Sequence, residues 1–291
     1  MSIKLQRSVV NINQCTIHFL CFDDFYPHNN LRSVNDVSIQ CYNKEMVNKL
    51  FQHKIDYSSS SHAVLDTSSR KRKAAKIQAI LEEVTDFSKA KVLDIGTGSG
   101  NIAHELSKNA KTVSSVDIVD ERKEKSGYDF KLTNDESLPF DDEMFDIVIA
   151  NHVIEHMPDQ TKHISEVMRV LKPGGYLYLA TPNKYWFTDP HYKLPFISWL
   201  PRSISAKYLK IIQKATWNIY PLSSITIKKM LHDTELINAL PLLMTSDASK
   251  KLDKWKSIVG VARYVPKVFL DITKYISPTL IFIIRKPASK K

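Results

Sequence analysis

Two hydrophobic periods alternate along the middle of the chain. Between residues 90 and 181, short apolar runs of strand length give way to stretches in which apolar residues recur at helical spacing. KVLDI (91–95) reads as a buried strand, NIAHELSKN (101–109) as a helix and TVSSVDIV (112–119) as a second strand. FDIVIANHVI (145–154) opens with a third strand. TKHISEVMRVL (161–171) is amphipathic, with Ile164, Val167, Met168 and Leu171 on one face. KPGG (172–175) supplies a turn, and YLYLAT (176–181) is another strand. Alternation of this kind predicts an α/β domain with a mostly parallel sheet and helices on both faces.

The flanks are less regular. Ile77, Ile80, Leu81 and Val84 predict a helix ahead of the first strand, and the RKRK run at 70–73 reads as its solvated start. SSITIKKMLHDTEL, capped near Ser223 or Ser224, reads as a helix, and INALPLL and TLIFIIRK as two late strands. PNKYWFTDPHYKLPFISWLPRSISAKYLKII (182–212) is rich in proline and aromatics and too irregular for a sheet core. Residues 1–45 have no clean period. No internal repeat is present.

Composition fits a soluble globular protein. The 291 residues are 43% apolar and 25% charged, which suits one large domain or one domain with additions. The formal charge of +10 is uneven: residues 91–190 carry 11 Lys/Arg against 17 Asp/Glu, and residues 191–291 carry 18 against 5. A basic flank of this sort suits an anionic membrane surface, a phosphorylated substrate or nucleic acid, or is simply a solvated face. The expectation drawn is peripheral membrane contact through the basic C-terminal third, with nucleic acid set aside as a partner. Cys15, Cys21 and Cys41 form no CxxC pair and read as reduced thiols, so a cytoplasmic setting is expected, with membrane association as an option. TIHFLCF (16–22) lacks a cleavage site after it and is not read as a signal peptide.

Only seven glycines occur, and three of them fall at Gly96, Gly98 and Gly100, directly after the first strand. Glycine admits positive φ and close approach of a ligand to the backbone, and the start of the next helix adds free N–H groups. Asp117 ends the second strand, where a carboxylate can accept both hydroxyls of a ribose. The dinucleotide fingerprint G-x-G-x-x-G is not met, because the third glycine comes one residue early and Asn101 stands in its place. Asp94 would also set a carboxylate where a pyrophosphate must lie. That chemistry favours a ligand with a cationic end, such as S-adenosylmethionine, over NAD. The plainer alternatives are that Asp94 accepts loop N–H groups and that Asp117 is a turn residue.

Four elements in order, VLDIGTGSG, Asp117, NDESLPFDDEMFDIVIANHVIEHMPD and RVLKPGGYLYLATPN, resemble class I S-adenosylmethionine-dependent methyltransferases of the type 11 group. The resemblance covers about residues 75–183. It implies a Rossmann-like seven-stranded sheet with a lid near the carboxyl ends of the strands, and S-adenosyl-L-methionine as cofactor. It implies that Gly96 and Gly98 line the cofactor by backbone, that Asp94 faces its amino group and that Asp117 holds its ribose. Asn134 or Asp135 would meet the adenine amine, Asn151 opens a loop that closes over the cofactor, and Thr97, Gly100, Ile118 and Glu136 complete the set. The expected organisation is an extension at 1–60 and a methyltransferase domain at 61–291, made of a core (75–183), an aromatic acceptor lid (184–222) and a C-terminal part with a basic insertion (223–291).

A hydroxyl acceptor needs a base, and His152, His156 and His191 are the candidates. His152, Glu155 and His156 also resemble the E-x-x-E-H arrangement of ubiquinone-type O-methyltransferases, proposed to hold a divalent ion. Here His152 replaces the first glutamate, which disfavours a hard cation, and no metal is expected. Tyr185, Trp186, Phe187, Tyr192, Phe196 and Trp199 would offer stacking faces to a sugar, quinone or lipid headgroup. The expected activity is O-methylation of a small-molecule, glycan or lipid-linked acceptor. The alternatives are a quinone-ring C/O- or N-methyltransferase, and a non-catalytic cofactor- or nucleic-acid-binding module.

Overall fold

The computed structural model describes residues 9–12, 15–18, 67–133, 137–245 and 270–288. The chain divides into two units, residues 1–55 and 56–291. In the first, β1 (Val9–Ile12) and β2 (Cys15–His18) pair antiparallel, with Val9 opposite His18.

The second unit carries a seven-stranded sheet. Its strands are β3 (Lys91–Ile95), β4 (Thr112–Asp117), β5 (Asp129–Leu132), β6 (Phe145–Asn151), β7 (Leu171–Pro182), β8 (Glu235–Asn238) and β9 (Thr279–Arg285). Their order is β5-β4-β3-β6-β7-β9-β8. The pairs from β5 through β7 are parallel, and β9 runs antiparallel to both β7 and β8. The order reverses at β3, so the crevice between the loops that follow β3 and β6 is the place where an open α/β sheet takes a ligand.

Strand parity sorts the core into two layers. Val92, Ile147, Ile149, Tyr178, Ile281 and Ile283 pack with α1 (Thr67–Glu82), α2 (Asn101–Ser107) and Ala239, the first residue of α6 (Ala239–Thr245). Leu93, Ile95, Val148, Ala150, Leu177, Leu179 and Phe282 face the other way, onto α3 (Gln160–Val170) and α5 (Ser224–Met230). Each such fully buried aliphatic side chain contributes about 1.5–3 kcal/mol. Both faces of the central strands are covered, which explains their continuous apolar runs. Asp94 shares the parity of Val92, so its carboxyl belongs to the face under α1. That single fact determines much of the site.

Two local expectations need correction, and a third element is added. INALPLL is not a strand throughout: β8 ends at Asn238 and α6 begins at Ala239. Asn238 Oδ1 accepts the Leu240 N–H, and Pro241 falls in the first turn, where its missing donor costs nothing. A short apolar run does not distinguish these outcomes by period alone. KPGG lies within β7 as an irregularity: Phe145 pairs with Leu171 and Ile147 with Tyr176, and Gly174 takes φ 77°. The irregular stretch after Pro182 contains a real helix, α4 (Arg202–Gln213), and a core of its own from Tyr192, Leu194, Ile197, Leu209, Trp217 and Ile219.

Candidate functional site

The loop after β3 is held by its backbone. Gly96 and Thr97 donate their N–H groups to Val116 O at 2.9 and 3.2 Å, and Thr97 Oγ1 reaches the same carbonyl at 3.4 Å. Gly98 N donates to Asp117 Oδ2 and Ile118 N to Asp117 Oδ1, both at 2.8 Å. The acid at the end of β4 therefore braces the loop while each of its oxygens keeps a further acceptor direction. Ile118 is exposed beside it.

The three glycines have different duties. All take positive φ. A Cβ on Gly96 would meet Val153 Cγ2 at 2.5 Å, so this glycine lets the loops after β3 and β6 touch. A Cβ on Gly100 would strike the Glu124 carbonyl and the Tyr128 hydroxyl, so Gly100 answers to protein packing rather than to a ligand. At Gly98 a Cβ would meet nothing within 4 Å. The cradle is open at Gly98.

Asp94 is 3% exposed, and its Oδ2 accepts no hydrogen bond. Burial, reinforced by the charge of Asp117 and opposed by Arg70, pushes its carboxyl up to about 7. A buried carboxylate oxygen without a partner is costly unless a donor arrives. Arg70 comes from the inward face of α1. Arg70, Lys73, Ala74, Ile77 and Leu81 follow helical spacing on one side, so half of the RKRK run is not solvated. Burial lowers the Arg70 guanidinium, and Asp94 offsets this. Burial and Arg70 lower Lys73, and Glu155 opposes them. Sequence reasoning missed both cations; their register with Ile77 was the available signal.

The second cluster sits on the loop after β6. His152 holds φ 62°, an unusual conformation for a non-glycine residue, and its N–H donates to Ala180 O at 2.8 Å. Asn151 ends β6 just before it. Glu155 is fully buried. Burial raises its pKa, but the hydrogen bond and charge of His152 outweigh that and leave the carboxyl below its usual range. It is therefore an ionised acceptor, bonded by Thr181 Oγ1 at 3.0 Å and by His152 Nδ1 at 3.2 Å. An ionised carboxylate only accepts, so His152 Nδ1 is the donor to Glu155, and Nε2 is the ring nitrogen that remains.

The lid adds His191. Its Nε2 lies 4.0 Å from Glu155 Oε1, and its ring packs edge-on against His156 with centroids 5.1 Å apart. Burial lowers its pKa, against the pull of Asp189 and Glu155. Donor atoms of Glu155, His156 and His191 lie within 4.8 Å of one another. The converging trio thus takes His191 from the lid rather than His152.

Other expected contacts divide plainly. Asn134, Asp135 and Glu136 lie outside the described residues. Tyr192 is a lid core residue rather than an acceptor surface: it stacks on Trp217 at 5.2 Å and donates to Asn218 Oδ1 at 2.6 Å. Tyr185, Trp186, Phe187, Phe196 and Trp199 are exposed. Most of the basic insertion, residues 246–269, lies outside the described residues.

Residues 67–235 match the family model of a methyltransferase domain. The chain belongs to the methyltransferase-domain family. Its similarity to curated members is partial. It is 30% identical over 109 residues to a ubiquinone biosynthesis O-methyltransferase of Bartonella tribocorum, covering 34% of this chain and 44% of that one. It is 26% identical over 148 residues to the protein of that name from Parvibaculum lavamentivorans, covering 46% and 57%. The chain thus spans about half the length of the curated relatives it matches. In structure it is similar to an S-adenosylmethionine dependent methyltransferase from Mesorhizobium loti, with TM-score 0.48 and 14% identity over 73% of this chain and 98% of that one.

Membership in this class makes S-adenosylmethionine the cofactor, and the residues fit it. The orphaned oxygen of Asp94 suits an ammonium, the open face of Gly98 leaves room for a ligand against the backbone, and Asp117 retains acceptor capacity for hydroxyls.

Proposed function

We propose that this protein methylates a hydroxyl oxygen on a small or lipid-linked acceptor, with a glycan among the candidates. The supporting observation is the ionised, buried Glu155 holding His152 by Nδ1 on a loop that abuts the glycine cradle. S-adenosylmethionine, when bound, supplies a methyl group already activated on a sulfonium. The protein's task is then to position the acceptor and take its proton. Asp94, Gly96, Gly98 and Asp117 hold the cofactor side. His152 accepts the hydroxyl proton at Nε2, and Glu155 fixes the tautomer and steadies the imidazolium that results. His191, kept neutral by burial, closes the acceptor side beside His156. Glu155 already accepts from Thr181 and His152, which favours base chemistry over metal binding at this cluster. The names of the curated relatives, O-methyltransferases of ubiquinone biosynthesis, agree with an oxygen acceptor.

Tritiated methyl transfer into fractionated extracts tests the reading. Label in extractable lipid or glycan, lost in His152→Ala, is the expected result. Label confined to protein or RNA, or carried on nitrogen, contradicts it.

A further inference from the structure

The lid carries five large aromatic side chains exposed to solvent, none of which shares a contact with the Glu155 cluster in the interactions described above. Tyr185, Trp186, Phe187, Phe196 and Trp199 are 52%, 37%, 55%, 45% and 46% exposed. They form one patch. Phe187 meets Phe196 at 4.7 Å, Phe196 meets Trp199 at 5.0 Å and Tyr185 meets Trp199 at 6.3 Å, all edge-to-face. Trp199 Nε1 donates to Trp186 O at 3.1 Å. Contiguous exposed apolar surface of this kind marks a contact site.

The patch is built, not loose. Phe196 N donates to Phe187 O at 2.7 Å, and Thr188 bridges Pro195. Phe196 and Lys193 hold φ 56° and 57°, a left-handed conformation that bulky side chains avoid. The tie to Phe187 holds Phe196 in that conformation and leaves its ring exposed.

Charge selects the occupant. Between residues 184 and 222 the chain has six Lys/Arg and a single acid, Asp189. Asp189 is buried and occupied by His191 N, Tyr192 N and Ser198 Oγ. Among the described residues the lid thus shows no acid to solvent. Lys193 is exposed, and Lys184 Nζ lies 5.8 Å from the Tyr185 ring.

We propose that this aromatic face of the lid seats the protein on an anionic lipid bilayer, at the interface and without spanning it. Tryptophan, tyrosine and lysine together suit the headgroup level, where rings bury partly and ammonium groups meet lipid phosphates. No helix of the described residues is long and apolar enough to cross a membrane. A second copy would set one cationic lid against another. Single-stranded nucleic acid wants open ring faces for stacking, whereas these rings pack edges against faces. The inference stands on the lid surface and is independent of which atom is methylated.

The test uses the full chain and two sets of vesicles, phosphatidylcholine alone and phosphatidylcholine with about one third phosphatidylglycerol. Sedimentation should show binding at least about tenfold stronger to the anionic vesicles, weakened by salt. Phe187→Ser with Trp199→Ser, and separately Lys184→Glu with Lys193→Glu, should each lower it about tenfold while thermal midpoint and cofactor affinity stay unchanged. The charge pair leaves the rings intact, so a folding defect in the ring variant does not decide the matter. Absence of vesicle binding, or equal binding by both variants and the parent, overturns the proposal. So does a dimer that the ring variant converts to monomer without any vesicle binding.

Discussion

The loop after β3 and the lid after β7 serve one crevice by opposite means. The first is a run of consecutive residues whose backbone does the shaping: Gly96 admits Val153, Gly98 leaves room, and Asp117 ties the loop from the neighbouring strand. The second carries its own core and lends the site one ring, His191, which reaches a carboxylate on another loop. The difference teaches that a ligand held by backbone conformation needs particular residues at particular steps of the chain. A ligand held by converging side chains leaves no such spacing.

The largest effect expected separates the two sides by chemistry. His152→Ala should lower kcat by about 10²–10⁴-fold with cofactor affinity unchanged. Glu155→Gln, which keeps the shape but not the charge, should lose most of the same factor and alter the pH profile of kcat. If either variant weakened cofactor binding instead, the acceptor cluster would belong to the cofactor side.

Asp94 comes next, through stability. Its carboxyl stands near 7 in the folded protein, above its ordinary value of 3.8. The folded state therefore holds the extra proton, and stability falls as pH rises between those values. The full penalty, on the order of 4 kcal/mol, applies above pH 7. Asp94→Asn should accordingly stabilise the ligand-free protein by about 2–4 kcal/mol at pH 8 and by almost nothing near pH 4, read by urea unfolding at both. A gain that did not depend on pH would contradict the burial argument.

Gly98→Ala sharpens the comparison further. The strained φ costs about 1–2 kcal/mol, and the added methyl enters open space. Cofactor affinity should drop about tenfold with a small fall in thermal midpoint. Gly96→Ala, by contrast, drives a methyl into Val153 and should lower the midpoint more than the affinity. The smallest effect is assigned to Tyr192→Phe, which removes the hydroxyl bonded to Asn218. A loss of about 1 kcal/mol confined to the lid, seen as faster hydrogen exchange there, should leave cofactor binding untouched.

Legibility in sequence followed the same division. Short continuous apolar runs and glycine spacing carried the sheet, the crevice and the residues of the cradle, because a strand buried on both faces and a positive φ each constrain single positions. Gly100 was assigned to the ligand, yet its neighbours Glu124 and Tyr128 come from a turn that no local pattern ties to it. Arg70 and Lys73 were hidden by a charge run that looked solvated, although their register with Ile77 turns them inward. The Asn238–Leu240 cap overrode the strand reading of INALPLL. The pairing of Glu155 with His152 could be suspected from spacing. His191 was named as a candidate base by residue type alone; its approach to Glu155 from the lid is a tertiary event that no spacing foretold.

One titration addresses the central claim, that Asp94 and the glycine cradle receive the cationic end of S-adenosylmethionine. Calorimetry with the purified protein should show binding whose affinity falls about tenfold per pH unit below pH 7, because the ligand takes Asp94 only as the carboxylate. Proton release on binding near that pH should accompany it. Asp94→Asn should bind about 10²-fold more weakly and without the pH dependence. Equal affinity in parent and variant, or affinity indifferent to pH between 5 and 8, would contradict the account.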